Sequence, residues 1–201
     1  MSKTALNLML LALIPLFLLN CTEQKRPITV EEPTISVIPA LPDTAFYGHL
    51  GEGTGMSCLQ LITRGGDTLT WIKTNEETGE NGLILGEIEN YSDSFAVTTC
   101  ADNKYVAVAL NICQLIGKEW LKETEAQDST CGFVLKDGEK AVLFSNGESK
   151  NARYSLYNCQ LILTSDEKSS GDTFNICALS STLLTLERQR SGDTLNFRTL
   201  R

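Results

Sequence analysis

The chain has 201 residues, of which 17 are basic and 25 acidic, giving a formal net charge of −8 at pH 7. An acidic surface excludes electrostatic attraction to nucleic acid or to anionic lipid headgroups as the basis of its function. Hydrophobic residues make up 42% of the chain, which is enough to predict a globular protein with a substantial core.

The chain begins with the pattern of an export signal. Lys3 is the only charge before an apolar run over residues 8–19, which Pro15 interrupts. A basic start followed by about 7–15 apolar residues is typical of a secretory signal peptide, and a membrane-spanning helix needs roughly 20. We therefore predict a signal peptide over residues 1–20, with an uncleaved anchor as the alternative.

The sequence Leu-Leu-Asn-Cys at residues 18–21 resembles the lipobox of bacterial lipoproteins, although Asn20 stands where that motif usually has Gly, Ala or Ser. The resemblance implies that Cys21 carries acyl chains such as palmitate and anchors the protein to a membrane; ordinary secretion is the alternative. Thr22 replaces the aspartate that commonly keeps lipoproteins at the inner membrane. This implies a lipid-anchored protein at the outer membrane of the cell envelope, facing the periplasm, with the cell surface as the alternative.

A proline-containing segment follows the predicted lipidation site. All five prolines lie within the first 42 residues, at positions 15, 27, 33, 39 and 42. Prolines favour extended chain, so residues 21–42 are predicted to form a tether. The alternative is that residues 34–38 pack as an edge strand on the body of the protein. In either case the folded part is expected to begin near Asp43.

The rest of the chain predicts an all-β protein. Short runs of alternating polar and apolar residues recur between turn sequences, including Gly-Asp-Thr at residues 66–68, 171–173 and 192–194. Such runs are typical of antiparallel sandwiches and barrels. Residues 43–112 contain five candidate strands, the first of them long and glycine-rich, and are predicted to form a small five-stranded OB-like β-barrel. The candidate strands are residues 46–63, 68–73, 83–89, 95–100 and 105–112.

Residues 113–201 are predicted to form a second domain, an eight-stranded antiparallel barrel. Its short strands are joined by short turns, which suits an up-and-down barrel without free edges. The polar connection over residues 122–130 is interpreted as a loose loop, with a lid as the alternative. The candidate strands are residues 114–121, 131–135, 140–145, 153–157, 160–164, 173–179, 183–189 and 194–199.

The second domain is similar in the order of its motifs to lipocalin-like lipoproteins of Gram-negative envelopes. Residues 117–120 (Gly-Lys-Glu-Trp) resemble the Gly-x-Trp of the first lipocalin strand, with one additional residue. The motifs at residues 132–133, 137–138 and 192–195 follow in the same order. Residues 53–56 resemble part of the extra N-terminal domain that some of these proteins carry. The resemblance implies a lipocalin-like barrel preceded by a small β-domain.

The sequence does not indicate catalysis. His49 is the only histidine and has no nucleophile motif beside it. Glu87 and Glu89 share a predicted strand face, where alternating acidic residues most simply indicate a solvated surface. The glycines of residues 51–55 precede no predicted helix and therefore form no dinucleotide-binding turn. We expect a protein that is not an enzyme and that binds no metal or cofactor.

The cysteines beyond Cys21 permit disulfides. An even number in an exported protein allows up to three bridges, and no Cys-x-x-Cys motif indicates redox or metal chemistry. If the predicted strands around Lys168 form a hairpin, Cys159 lies opposite Cys177. If the first and fourth strands of the OB-like barrel are neighbours, Cys58 lies near Cys100. The alternative is that these cysteines are reduced. The six are Cys58, Cys100, Cys113, Cys131, Cys159 and Cys177.

Aromatic residues recur along the strands of the second domain and are candidates for lining a ligand cavity or for filling a packed core. We therefore predict a non-enzymatic lipoprotein whose barrel binds a small apolar ligand. The alternative is a protein-interaction or inhibitor module that docks on an envelope protein and has a filled barrel. Nucleic acid is not expected as a partner. The candidate cavity residues are Trp120, Phe133, Phe144, Tyr154, Phe174 and Phe197.

Overall fold

The computed structural model describes residues 42–123, 131–165 and 171–199. The chain divides into the units Met1–Leu41 and Pro42–Arg201, and every described residue belongs to the second unit. The predicted signal peptide, the lipidation site Cys21 and nearly all of the tether lie outside the described residues. So do most of the predicted loop over residues 122–130 and the hairpin centre at Lys168.

The described residues before position 112 form an open six-stranded sheet. Its strand order is β3-β2-β1-β5-β6-β4, with β4 parallel to β6 and the remaining neighbours antiparallel. A single parallel bridge also joins β3 to β6, between Ile72 and Tyr105. The strands are β1 (Phe46–Leu50), β2 (Cys58–Thr63), β3 (Thr68–Ile72), β4 (Leu83–Leu85), β5 (Ser94–Cys100) and β6 (Tyr105–Asn111).

The prediction of a single strand over residues 46–63 is wrong, because these residues form a hairpin of two strands. β1 pairs antiparallel with β2, so that Leu50 lies opposite Leu61. Gly48 permits a very close approach there, since a Cβ at this position would lie only 2.2 Å from the carbonyl oxygen of Ile62. The glycines thus mark a turn and a tight strand contact, not bends in one long strand. The sheet has six strands where five were predicted.

The rest of the chain forms a closed eight-stranded antiparallel barrel, which confirms the predicted all-β class and the barrel. Each strand pairs with the next one along the chain, and the last pairs with the first. The strands are β7 (Glu119–Lys122), β8 (Cys131–Lys136), β9 (Lys140–Ser145), β10 (Glu148–Tyr157), β11 (Gln160–Ser165), β12 (Asp172–Leu179), β13 (Leu183–Arg188) and β14 (Thr194–Thr199).

A one-turn helix, α1 (Ile112–Leu115), links the sheet to the barrel. Asn111 caps it, because its side-chain oxygen accepts a hydrogen bond from the Gln114 amide at 3.1 Å. The predicted strand over residues 114–121 is therefore wrong in its first half. No helix among the described residues is long and apolar enough to cross a membrane.

The sheet covers one end of the barrel, called here the closed end, where β10–β11 and β12–β13 turn. Four side chains on the sheet side belong to the same hydrophobic core as the barrel interior: Leu85, Ala96, Leu110 and Leu115. The Gly86 amide donates a hydrogen bond to the Leu179 carbonyl at 3.0 Å, and the buried Cys159 thiol donates to the Ala96 carbonyl at 3.4 Å. The two sheets therefore pack as one unit around a shared core.

The β10–β11 turn at the closed end has a demanding backbone conformation. Asn158 and Cys159 have φ values of 49° and 60°, as both central residues of a type I′ hairpin turn require. Asparagine adopts this conformation readily, but cysteine does so rarely. The side-chain oxygen of Asn158 accepts a hydrogen bond from the backbone N–H of Thr44 at 2.8 Å. The backbone N–H of Asn158 donates to the Asp43 carboxylate at 3.0 Å. Contacts with the start of the chain and with the sheet thus hold this turn.

The close approach at Gly48 gives the first prediction. We expect Gly48→Ala to lower the free energy of unfolding by about 1–3 kcal/mol, because the added methyl group collides with the β2 backbone. Gly55→Ala is the matched control: nothing lies within 4 Å of its ideal Cβ position, so its effect stays within about 0.5 kcal/mol. Urea unfolding of both variants measures the difference. Equal stability of the two variants would contradict the β1–β2 register.

Candidate functional site

An apolar cavity of about 330 Å³ opens at the end of the barrel opposite the sheet. This end, called here the mouth, is where β7, β9, β11 and β13 end and β8, β10, β12 and β14 begin. The aromatic residues that line the cavity are Phe133, Phe144, Phe174 and Phe197, and the leucines are Leu143, Leu163, Leu186 and Leu195. The cavity is therefore a one-ended apolar chamber inside the barrel.

Strand alternation places seven of these eight side chains on the inner wall, because successive residues of a strand point to opposite faces. Phe144 is the exception, since it follows Leu143 on β9 and shares the outer face with its cross-strand partner Gly132. Two pairs of lining residues are direct cross-strand partners, Phe133 with Leu143 and Leu186 with Leu195. The rings of Phe133 and Phe197 meet edge to face, with centroids 5.1 Å apart. These contacts form a continuous apolar wall across β7–β9 and β13–β14.

Gly132 provides the space for one of the aromatic rings. It lies directly opposite Phe144, and a Cβ at this position would lie 2.6 Å from the Cζ atom of that ring. A side chain here would collide with the Trp120 carbonyl oxygen, 2.1 Å from the same position, and with the Phe144 ring on the outer face of the barrel. The Gly-Phe sequence that supported the family resemblance thus has a packing role at the mouth.

The six predicted cavity aromatics fall into two groups. Phe133, Phe144, Phe174 and Phe197 line the cavity, whereas Trp120 and Tyr154 do not. Trp120 is fully buried, and its indole nitrogen donates a hydrogen bond to the Leu115 carbonyl at 2.9 Å. Tyr154 is buried near the β8–β9 turn; burial, followed by the nearby Asp137 and Glu139, raises the pKa of its phenol. The barrel is thus packed toward the closed end and hollow toward the mouth.

The polar residues around the cavity include two cations that sequence reasoning missed, Lys122 and Arg188. They are the last residues of β7 and β13. The signal that could have found them is their position, a charged residue where a strand ends at the mouth. Asp172, the first residue of β12, also lines the cavity.

Arg188 lies against the aromatic wall. Its Cζ atom is 5.6 Å from the centroid of the Phe174 ring, and its Nη1 is 3.9 Å from the Asp193 carboxylate. Its Nε is buried without a hydrogen-bond partner. A buried donor without an acceptor is unfavourable, so a small shift of the side chain that brought Nε to an acceptor would relieve this cost.

The residues that the sequence analysis weighed for catalysis, His49, Glu87 and Glu89, do not line this cavity. His49 is exposed on β1, opposite Ser94, in a shallow groove that it shares with Arg64. Glu87 and Glu89 are exposed and follow β4, not in the strand predicted for them. Among the described residues, no group of three or more His, Cys, Asp or Glu side chains is placed to hold a metal ion.

The structure does not bring the cysteine pair Cys159 and Cys177 together. Leu163 pairs with Asp172 in the β11–β12 hairpin, a register that puts Ile176, not Cys177, opposite Cys159. A shift of one residue moves a side chain to the other face of a strand. Cys159 is accordingly buried and Cys177 exposed, and both are free thiols.

Cys58 and Cys100 are also free thiols and lie on strands that are not neighbours. Cys58 is on β2 opposite Ile72 of β3, and Ile72 is bridged to Tyr105, which pairs with Cys100 of β5. Three strand spacings therefore separate the two cysteines along this row. The prediction assumed that β1 and β2 were one strand, which would have placed Cys58 beside β5.

The chain matches no protein-family model, and comparison with curated proteins and with solved structures gave no significant match. The geometry of the cavity is therefore the basis on which its function is inferred.

Burial predicts the reactivity of the cysteines. It raises the pKa of the Cys159 thiol to about 12, so that at pH 8 very little of it is the reactive thiolate. We expect iodoacetamide to modify the exposed Cys100 and Cys113 in the native protein, and Cys159 only after denaturation. Peptide mass mapping measures this. Modification of native Cys159 at the rate of Cys100 would contradict its placement against the sheet.

The same experiment tests the predicted disulfides. A Cys159 that stays unmodified even in denaturant, together with an intact mass two hydrogens short, would establish a bridge that the structure does not show. In that case the β11–β12 register would have to shift by one residue.

Proposed function

We propose that the protein is a non-enzymatic, membrane-anchored lipoprotein whose barrel binds a small apolar ligand in the mouth cavity. The observation that carries the proposal is the one-ended apolar chamber whose inner wall is formed by three phenylalanines and four leucines. Burial of apolar ligand surface against such a wall contributes roughly 25 cal/mol per Å². Binding sites for small molecules are typically concave, largely apolar and provided with a few polar groups, as this cavity is.

The size of the cavity limits the ligand. At about 330 Å³ it lies at the lower end of the range for small-molecule sites, which begins near 300 Å³. A water-sized group occupies about 30 Å³ in a liquid, so the chamber suits a ligand portion on the order of ten non-hydrogen atoms. The ligand is thus a short chain or a single small ring, or the end of a longer molecule that extends out of the mouth.

Two features of the fold support a lipocalin-like barrel in residues 113–201. The strands follow one another around the barrel in chain order, as in lipocalins and other up-and-down barrels. The tryptophan of the first barrel strand, Trp120, is buried toward the closed end, away from the cavity lining. Within the same proposal, the family resemblance is of fold, and the ligand follows from the cavity.

The sheet before the barrel is proposed to be OB-like. β1, β2 and β3 form a meander, β5 and β6 form a hairpin beside β1, and β3 meets β6 at the Ile72–Tyr105 bridge. More extensive pairing at that bridge would close these strands into a small barrel of the OB type. In this protein the sheet serves as the closure of the larger barrel.

The proposed location rests on the sequence of residues 18–21 and on Thr22. Acylation of Cys21 would attach the protein to the outer membrane on its periplasmic side, since acyl chains on one cysteine suffice for stable anchoring. Residues 21–42 would then hold the barrel away from the membrane surface as a tether.

A variant that fills the cavity tests the proposal. We expect 1-octanol to bind the mature chain (residues 21–201 with Cys21→Ser) and Leu163→Trp to weaken binding at least about tenfold, because the indole occupies the chamber. Ile162→Trp is the matched control: it adds the same ring at the next residue of β11, which points to the other face of the sheet. Titration of backbone amide NMR shifts measures binding and verifies folding.

Unchanged binding in the Leu163→Trp variant would contradict a site in this cavity. If octanol and related small apolar molecules do not bind the unaltered chain at all, the ligand-binding proposal fails. The alternative, a module that docks on an envelope protein, would then be pursued.

A further inference from the structure

The two cations at the mouth specify the ligand further than its apolar character does. We propose that the cavity takes a single-chain amphiphile with an anionic headgroup, whose apolar end enters the chamber while its carboxylate, or a similar anion, is held at the mouth by Arg188 and Lys122. This inference rests on the proposed function, because it names the class of ligand for the same cavity.

One nitrogen of the Arg188 guanidinium group lacks a hydrogen-bond partner. Its Nη1 side is directed to Asp193, at 3.9 Å, and both side chains are substantially exposed, so this ion pair contributes little. Nε, on the other edge, is buried and without a hydrogen-bond partner. A carboxylate that reached this nitrogen after a small shift of the side chain would satisfy it with a charge-assisted hydrogen bond, which is stronger than a neutral one.

The position of Arg188 ties this edge to the apolar chamber. Its guanidinium group lies over the ring of Phe174, which is itself part of the cavity wall. An anion bound there would have its tail directed along aromatic and leucine side chains. Bound water satisfies such a donor only partly, because an apolar wall offers the water few other partners.

Lys122 supplies a second positive charge on another strand of the mouth. It is on β7, opposite Phe197, and its ammonium group makes no ion pair with any residue that the structure describes. Among the described residues of the cavity lining, Asp172 is the one carboxylate. Asp193, outside the lining, faces Arg188 at 3.9 Å. Two cations in the described lining of a chain whose net charge is −8 favour an anionic ligand at this point.

Matched probes of equal chain length test this inference on the same mature chain. Octanoate, 1-octanol and octylammonium differ in their headgroups and fit the size limit of the chamber. We expect octanoate to bind about tenfold more tightly than octanol, and octylammonium more weakly than both, in NMR titrations at pH 7.5 and low salt.

Two variants locate the headgroup. Arg188→Gln is expected to lower the affinity for octanoate to that for octanol, so that the ratio of the two affinities falls from about tenfold to about one. Arg153→Gln is the control: it makes the same change of charge on β10, does not line this cavity and leaves both affinities unchanged. Lys122→Gln is expected to have a smaller effect in the same direction, because its flexible ammonium group is strongly hydrated.

The results separate the two proposals. Equal affinity for octanoate and octanol, or preference for octylammonium, overturns the anionic headgroup and leaves the apolar cavity in place. An octanoate affinity that Arg188→Gln does not alter also overturns it. If no probe binds, the proposed function fails and this inference fails with it.

Discussion

The packing of the sheet against one end of the barrel is the contact on which the rest of the structure depends. A barrel of eight strands is just wide enough either to be filled by side chains or to hold one small ligand. Here Leu85, Ala96, Leu110 and Leu115 extend the barrel core beyond its last turns and exclude water from that end. The same packing holds the β10–β11 turn, where Cys159 has the rare left-handed conformation and buries its thiol. Closure at one end leaves a single entrance.

Side-chain size then divides the barrel interior. Trp120, fully buried and hydrogen bonded to Leu115, packs the half that is next to the sheet. At the mouth, the rings of Phe133, Phe174 and Phe197 lie along the inner wall and leave a chamber between them. A packed core and an apolar cavity thus occupy different halves of one barrel. Arg188 and Lys122 place two positive charges at the mouth.

Much of the fold follows from local sequence signals, because strand periodicity and turn residues act over a few residues. All eight barrel strands were predicted, with boundaries within five residues of those found. Register is a different matter, since a shift of one residue in the β11–β12 hairpin separates Cys159 from Cys177. Glycines at residues 48–55 fit either a bend or a hairpin, and only the close approach of β1 to β2 decides between them. The cationic mouth was missed because Lys122 and Arg188 meet only when the barrel closes.

Diffraction from a crystal of the mature chain under xenon pressure tests the central claim most directly, because xenon enters apolar cavities that water leaves empty. The account predicts xenon among Phe133, Phe174 and Phe197, at the mouth, and none around Trp120 at the closed end. A mouth filled by side chains, or by ordered water with no xenon, would contradict a chamber built for an apolar ligand.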